Sequence, residues 1–471
     1  MEESRASKFG LGLARSGLAA SLLLLVGCVH YAPKLVEPAQ TLSSLETRTL
    51  TNEGLRAFIQ TNAPELAKEW PRQSWDLAGL TLVAFYYHPS LDLARAQAGV
   101  AAASVITAGG RPNPTVGVTP EYNFNPSGGA TPWIATIQFD VPIETAGKRG
   151  LRISQAERLS EAARLRLGTV AWGVRSGVRS ALLDLGYARK QAALLERQLA
   201  AQERVLSALE AKLAGGAANA NDLAPTRIAL ARTRSDMASA GVAAEEARAR
   251  LATALGVPLP ALPPTSALHP EIASDTSVTS EEARGRALTS RADLLAALAE
   301  YAAAETALKL EVHKQYPDIH LGTGYQFDQG ENKWALGLNV ELPVLNRNQG
   351  PIAEAKAKRQ EAGVRVLALQ AAILGEVDRA LAVWRGAESR IKALDAVRAA
   401  QASRVASFRT QFEAGAVEAL DVVTAEAELV ADELLQQEAQ TKALRAFGEL
   451  EDAVQRPLHP DFTMNPRLAQ P

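Results

Sequence analysis

Two stretches of the chain alternate apolar and polar residues with the period of two that is typical of β-strands. We predict strands at about 114–125 and 132–143 in the first stretch, and at about 317–328 and 332–343 in the second. The apolar positions of the first are Val116, Val118, Tyr122, Phe124, Trp133, Ala135, Ile137, Phe139 and Val141. Those of the second are Ile319, Leu321, Tyr325, Phe327, Trp334, Leu336, Leu338, Val340 and Leu342. Strands of ~10 residues suit tilted membrane crossings, although two soluble hairpins that cover a core would show the same alternation.

Each predicted hairpin precedes a long segment without proline, from Gly147 to Ala214 and from Ile352 to Glu413. As continuous helices these segments would each reach roughly 90–100 Å. Their later parts carry apolar residues at alternating spacings of four and three, which indicates a partner helix alongside. We therefore expect each half to form an antiparallel pair of helices.

The chain contains an internal repeat. Gly216 and Asp222 in the first half correspond to Gly415 and Asp421 in the second. Each half follows the order helix, strand, strand, long helix, turn, returning helix, and a repeat of this length indicates duplicated architecture. We predict repeats at 76–265 and 280–456, with hairpin turns near 214–221 and 413–420. A segment at 28–75 precedes them and a Pro-rich tail at 457–471 follows.

The N-terminus has the pattern of a bacterial lipoprotein signal. Arg5 and Lys8 precede a short apolar run that ends at Gly27, and Cys28 is the only cysteine in the chain. This predicts removal of a signal peptide at 1–27 and lipidation of Cys28. The sequence has no apolar segment long enough for a transmembrane helix in the mature chain. Any membrane crossing is therefore expected to use strands.

Composition excludes several classes of function. The chain has 50 Lys and Arg against 52 Asp and Glu, which argues against nucleic-acid binding. One cysteine and six scattered histidines offer no metal-site spacing, so no metal or cofactor is expected. His88, His313 and His320 are expected to be structural or solvated. No nucleophile, carboxylate pair or phosphate loop has catalytic spacing, so we predict that the protein is not an enzyme.

Four strands cannot enclose a useful pore, since even eight leave an interior wide enough only for side chains. We therefore expect several chains to contribute strands to one sheet, with helices continuing the same hollow tube. Glu144, Lys148 and Arg149 fall at the junction of sheet and helix. They are expected either to form salt bridges between protomers or to line the channel.

The repeat and its motifs resemble the outer membrane efflux protein family, the TolC-like channels, over roughly residues 75 to 456. The resemblance is carried by "RADLLAALAEYAAAETAL", "QFEAGAVEALDVVTAEAELV" and the junctions "DVPIETAGKRGLR" and "VELPVLNRNQGPIAEAKA". The junctions look most like the heavy-metal (cobalt-zinc-cadmium) efflux branch. The resemblance implies a mainly α fold with a small membrane β portion, in which a homotrimer forms a 12-stranded outer-membrane barrel on a long periplasmic α-barrel. It also implies a periplasmic adaptor and an inner-membrane RND-type pump as partners, contact with outer-membrane lipid, and passive conduction of heavy-metal cations or drugs.

The resemblance also assigns roles at the two hairpin tips. Adaptor docking falls on Gly215, Gly216, Gly415, Ala416, Val417 and Leu420. The channel gate falls on Asp421, Thr424 and Asp222, of which Asp222 is at the position of the first repeat that matches Asp421. Thr424 stands where the family motif has a second acid, so a double ring of acids is not expected. The alternative for both aspartates is a plain helix cap.

Two other classes of protein remain open at this stage. A periplasmic adaptor is also lipidated and carries a helical hairpin, but it would need a single hairpin with substantial β structure after it. A coiled-coil lipoprotein without channel activity would need neither the alternating strands nor the repeat.

Overall fold

The computed structural model describes residues 31–264, 268 and 278–458. The chain divides into two compact units, residues 1–47 and 48–471. In the first unit, helix α1 (Pro38–Glu46) begins at a proline, the residue whose fixed φ suits a first helical turn. The predicted signal peptide and Cys28 lie outside the described residues, as does the tail beyond residue 458.

Among the residues that the structure describes, the second unit has nine α-helices, three short 3-10 helices and four strands. Before the first hairpin come α2 (Glu53–Asn62), α3 (Leu77–Tyr87) and α4 (Pro89–Ala108). The first repeat continues with β1 (Thr115–Tyr122), β2 (Trp133–Ile143), α5 (Lys148–Ala214) and α6 (Ala220–Leu255). The second repeat has α7 (Ser280–Ser290), α8 (Ala292–His313), β3 (Ile319–Asp328), β4 (Glu331–Val340), α9 (Gln349–Glu413) and α10 (Ala419–Val454).

The element order confirms the predicted fold class, which is mainly helical with a small sheet and two repeats. All four strands form one antiparallel sheet in the order β1-β2-β3-β4. The apolar residues Phe124 and Leu342 lie just beyond the ends of β1 and β4. Strands β1 and β4 are the two edges of the sheet within this chain.

The long helices dominate the chain. Helix α5 has 67 residues and α9 has 65, so each extends roughly 100 Å. Each starts directly after a residue with left-handed backbone, Gly147 at φ 68° and Asn348 at φ 62°. Glycine and asparagine tolerate this conformation best, which explains how the chain turns from sheet to helix at corresponding places in both repeats.

Each repeat has its own apolar core near the middle of the long helices. The first core includes Phe85, Leu182 and Leu251, from α3, α5 and α6. The second includes Ile373 and Phe447, from α9 and α10.

The start of the second unit is tied to the first core by one guanidinium group. Arg48 Nη1 donates to the carbonyl of Tyr87 at 2.8 Å and to that of Gly256 at 2.7 Å. These carbonyls lie at the C-terminal ends of α3 and α6, where a cation complements the helix dipole.

Candidate functional site

The register of the sheet separates apolar and polar residues onto opposite faces. Residues paired across an antiparallel sheet point to the same side. One row of partners across the four strands is apolar: Val118, Ile137, Tyr325 and Trp334. The next row, on the other face, is polar: Thr119, Thr136, Gln326 and Lys333. The sheet therefore has one apolar face and one face suited to water.

The apolar face is exposed in the single chain. Val118 is 65% exposed, Leu336 78% and Trp334 82%. The alternative in which these hairpins cover a soluble core is therefore wrong. From Trp133 to Ile143 the strand rises ~34 Å, or ~26 Å across a membrane at a 40° tilt. This matches the apolar band of about 25 Å that outer-membrane strands present to lipid.

Aromatic side chains gather at the loop end of this face. The rings of Tyr122 and Trp133 lie 5.1 Å apart, as do those of Tyr325 and Trp334. Tryptophan and tyrosine are enriched where the hydrocarbon of a membrane meets water, because their rings are apolar and their N–H and O–H groups are polar. The loop end is thus suited to the membrane–water boundary.

The two hairpin tips turn with the same backbone conformation. Gly216 has φ 76° after α5, and Gly415 has φ 73° after α9, so both turns use the left-handed conformation that glycine permits. An ion pair between Lys212 and Glu418 joins one tip to the other. Of the predicted docking residues, Ala416 is exposed, whereas Val417 and Leu420 are partly buried.

The two candidate gate aspartates take part in matching capping boxes. Asp222 Oδ2 accepts from the backbone N–H of Asn219 at 2.8 Å, and Asp421 Oδ2 accepts from that of Glu418 at 3.0 Å. Both aspartates are exposed, and Thr424 is partly buried one turn further on. In the single chain each aspartate therefore caps its helix. A role for Asp421 in a gate stays a prediction, because it depends on copies meeting.

The charged junction beneath the sheet is satisfied within one chain. Lys148 Nζ donates to Asp318 Oδ1 at 2.8 Å, and Arg149 Nε donates to the carbonyl of Gly109 at 2.7 Å. Glu144 forms an ion pair with Arg152. These contacts fix the strands to the first turns of α5. Lys148 and Glu144 therefore form ion pairs inside one chain, and a bridge between protomers or a place on the channel wall stays a prediction.

The Glu144 bridge predicts a sensitivity to acid. The hydrogen bond from Arg152 holds the pKa of the Glu144 carboxyl below its ordinary 4.5. A lowered pKa stabilises the fold above the unfolded value, and that contribution is lost as the pH falls through the folded value. Glu144→Gln is therefore expected to lower the free energy of unfolding at pH 7 by less than about 1 kcal/mol. The difference from wild type should shrink below pH 4 in urea titrations; an unchanged difference would contradict this assignment.

A buried ion network joins the two repeats where α5 meets α10. Arg175 and Arg179 are each only 4% exposed at the side chain, and both donate to Glu451 Oε2, at 3.0 and 2.9 Å. Asp452 accepts from Arg179 at 2.5 Å and from the indole N–H of Trp172 at 2.8 Å. A Cβ atom at Gly448 would lie 2.5 Å from Arg179 Nε, so the guanidinium requires a glycine beside it.

Further ion pairs continue along the same two helices toward the tips. Arg197 pairs with Glu433 at 2.6 Å and Arg204 with Glu426 at 2.8 Å, and the Lys212–Glu418 pair follows. We call these three pairs the α5–α10 ladder. Its cations all lie on α5; Glu433 and Glu426 lie on α10, and Glu418 is the N-cap residue of α10. Neither the ladder nor the buried network was predicted from the sequence. Charges of opposite sign at steps of seven and eight on two helices were the signal that could have indicated the ladder.

No group of three or more His, Cys, Asp or Glu that could hold a metal ion occurs among the described residues. His88 caps α4, and His313 contacts the carbonyl of Ala146 at 2.7 Å, so both have structural partners. In the part of the chain that the structure describes, no helix has the length and apolar character needed to cross a membrane.

Comparison with known proteins identifies what the chain is similar to. The family described as outer membrane efflux protein matches residues 86–257 and 283–454. The chain is 26% identical over 297 residues to the cobalt-zinc-cadmium resistance protein CzcC of Cupriavidus metallidurans, which is 62% of this chain and 70% of that protein.

Two solved structures illustrate the likeness in fold. The outer membrane protein VceC of Vibrio cholerae superposes with a TM-score of 0.65 at 20% identity, covering 81% of this chain and 97% of VceC. CusC, described in terms of transmembrane channel formation, superposes with a TM-score of 0.63 at 18% identity, covering 90% of this chain and 99% of CusC.

Proposed function

Because the chain belongs to the outer membrane efflux protein family, we propose that it is the outer-membrane channel subunit of a tripartite efflux system. The observation that carries this proposal is the sheet, which has an exposed apolar face toward lipid and a polar face toward water. The passage would be passive, with the energy supplied by an inner-membrane pump. The protein would not act as an enzyme.

The sheet supports assembly from several copies. Within the described part of the chain its edges, β1 and β4, leave unpaired backbone groups, and such groups cannot face lipid. Pairing β4 of one copy with β1 of the next would satisfy them. Three copies would give the 12 strands expected from the family resemblance.

Comparison of corresponding helices in the two repeats also supports an assembly of several copies. Helix α8 packs against both α5 and α9, whereas its counterpart α4 packs against α5. Leu93 and Val100 on α4 are 61% and 69% exposed, although their counterparts on α8, Ala296 and Ala303, are only 3% exposed. On α9, Leu367 is 66% exposed. We propose that α4 of one copy packs against α9 of the next, which would cover these apolar side chains.

We propose heavy-metal cations as the cargo. The support is the likeness to the cobalt-zinc-cadmium resistance protein, which covers most of that relative. Drugs or other small molecules are the competing class of cargo. Loss of the protein from its host should then reduce tolerance to cobalt, zinc or cadmium salts, whereas a drug channel would leave that tolerance unchanged.

We propose that the hairpin tips dock the periplasmic adaptor of an RND-type pump. The residues concerned are those around the left-handed glycines, namely Gly215, Gly216, Gly415, Ala416, Val417 and Leu420. Lipidation of Cys28 would fix the N-terminus to the outer membrane, because each buried methylene contributes about 0.8 kcal/mol. The bulk of the helices would then extend into the periplasm.

Asp421 is proposed to narrow the channel and favour cations, since copies around a symmetry axis would bring equivalent carboxylates toward one another. Asp421→Ala is expected to raise single-channel conductance or to reduce cation preference in planar bilayers. Asp222→Ala removes the same kind of capping box from the other repeat and tests the second aspartate proposed for the gate. Unchanged conductance and selectivity in Asp421→Ala would leave Asp421 as a helix cap alone.

Reconstitution of the full chain tests the proposed function. We expect detergent-purified protein to migrate as a heat-modifiable oligomer, to fractionate with outer membranes and to conduct ions in planar bilayers. A periplasmic adaptor would fractionate with the inner membrane or stay peripheral. Behaviour as a soluble monomer without detergent would overturn the proposal.

A further inference from the structure

His320 and Asp140 form a pair on the polar face of the sheet. His320 Nδ1 lies 2.9 Å from Asp140 Oδ2, and the two side chains are 46% and 38% exposed. On β2, Asp140 lies directly opposite Gly322 of β3, and His320 is two residues before Gly322 on the same strand. Asp140 and His320 are therefore diagonal neighbours on one face of the sheet. Because glycine leaves that position without a side chain, the carboxylate can reach diagonally to the imidazole.

The contact fixes which imidazole nitrogen is available. An ionised carboxylate can only accept, so Nδ1 must carry the hydrogen that is shared with Asp140. In the neutral ring this leaves a lone pair on Nε2. Among the described residues Nε2 has no hydrogen-bond partner. Histidine ligands of metals in proteins commonly have this arrangement, in which a carboxylate orients the ring and increases its basicity.

The surroundings leave the ring accessible from the polar face. In the neighbouring row of partners, Gly322 and Gly337 have no side chains, and a Cβ atom at Gly322 would contact only backbone oxygens at 3.6 and 3.9 Å. On β4, the residue paired with His320 is Asn339, whose side-chain amide oxygen could act as a second ligand. The cations of the junction, Lys148 and Arg152, are each paired with a carboxylate of their own.

We propose that His320, oriented by Asp140, is a contact site for divalent transition-metal cations on the water-facing side of the sheet. Imidazole nitrogen suits Zn²⁺ and Cu²⁺. With one imidazole per chain and no cluster of three ligand residues in the described part, the contact is weak and transient. Weak contact is what conduction requires, since an ion must leave as readily as it enters. This inference rests on the proposed channel function.

Block of single-channel current by Zn²⁺ tests the site with the reconstituted full chain. Relative to Mg²⁺ at the same ionic strength, Zn²⁺ should reduce wild-type conductance reversibly. His320→Ala should raise the half-blocking concentration at least tenfold. Asp140→Asn should raise it by roughly tenfold or more, because partners that orient a ligand typically contribute 10- to 100-fold in metal affinity. His88→Asn is the matched control, since it removes a distant histidine but keeps a good helix cap.

A second measurement does not depend on conduction. Cu²⁺ added below one equivalent to the detergent-solubilised oligomer should give an imidazole-nitrogen signal in electron paramagnetic resonance that is weaker in His320→Ala than in His88→Asn. Equal Zn²⁺ block and equal Cu²⁺ signals in both variants would overturn the metal contact and leave the channel intact. Folded oligomers that never conduct would instead overturn the proposed function itself.

Discussion

Glu451→Ala is expected to lower the free energy of unfolding by about 3–5 kcal/mol, the usual cost of removing one partner from a buried ion pair. The cost arises because Arg175 and Arg179 would both stay buried after losing the carboxylate that they share. Glu451 Oε1 also accepts from the backbone N–H of Leu458 at 3.0 Å, so the last turn after α10 would lose a contact as well. Urea unfolding of the detergent-solubilised protein, followed by circular dichroism, measures the loss.

Glu449→Ala is the matched control for this substitution. It lies two residues away on the same helix and is exposed, so its loss is expected to change stability by less than about 0.5 kcal/mol. Similar losses for the two variants would mean that the buried ion network adds no more to the free energy of unfolding than an exposed carboxylate does. A shift for Glu451→Ala alone would identify the junction of α5 and α10 as a main link between the repeats.

Leu336→Arg is expected to prevent insertion of the sheet into the outer membrane. Leu336 shares its row with Phe139, near the middle of β2, and is 78% exposed on the apolar face. Arginine near the midplane of a membrane costs about 2–4 kcal/mol in an outer-membrane strand. A homotrimer would bear that cost three times. The heat-modifiable oligomer in the outer-membrane fraction should therefore fall to a small part of the wild-type amount.

Ala335→Arg distinguishes a membrane face from simple intolerance of charge in β4. Ala335 is the preceding residue and faces the polar side, in the row of Gln138 and Gly324. We expect its oligomer yield to stay near that of wild type, with conductance altered. Equal losses for both variants would argue against the assignment of the two faces.

The sequence predicted most of the fold because the decisive patterns are local. The period of two in the strands, the absence of proline in α5 and α9 and the glycines at the tips each depend on neighbours along the chain. The repeat then fixed the order of elements. The sequence also placed Asp222 and Asp421 at helix starts, where the structure has them in capping boxes.

The remaining features depend on contacts between distant residues. The pairing of Arg179 with Glu451 depends on how α5 is aligned against α10, and no local sequence pattern predicts that alignment. The same holds for His320 and Asp140, which meet only when β2 pairs with β3. The sequence alone shows His320 as an isolated residue and leaves Glu144 and Lys148 either between protomers or on the channel wall, because their partners are distant along the chain.

The α5–α10 ladder has a mechanical consequence. At the positions of the repeat that correspond to its cations, α9 has Ala396, Ser403 and Gln411. At the positions that correspond to its anions, α6 has Arg234 and Arg227, and its N-cap residue is Asn219. The boundary between neighbouring copies would thus lack the ion pairs that fasten the two repeats inside each copy. We therefore expect dilation of the passage to separate one copy from the next, while every copy moves as a rigid body.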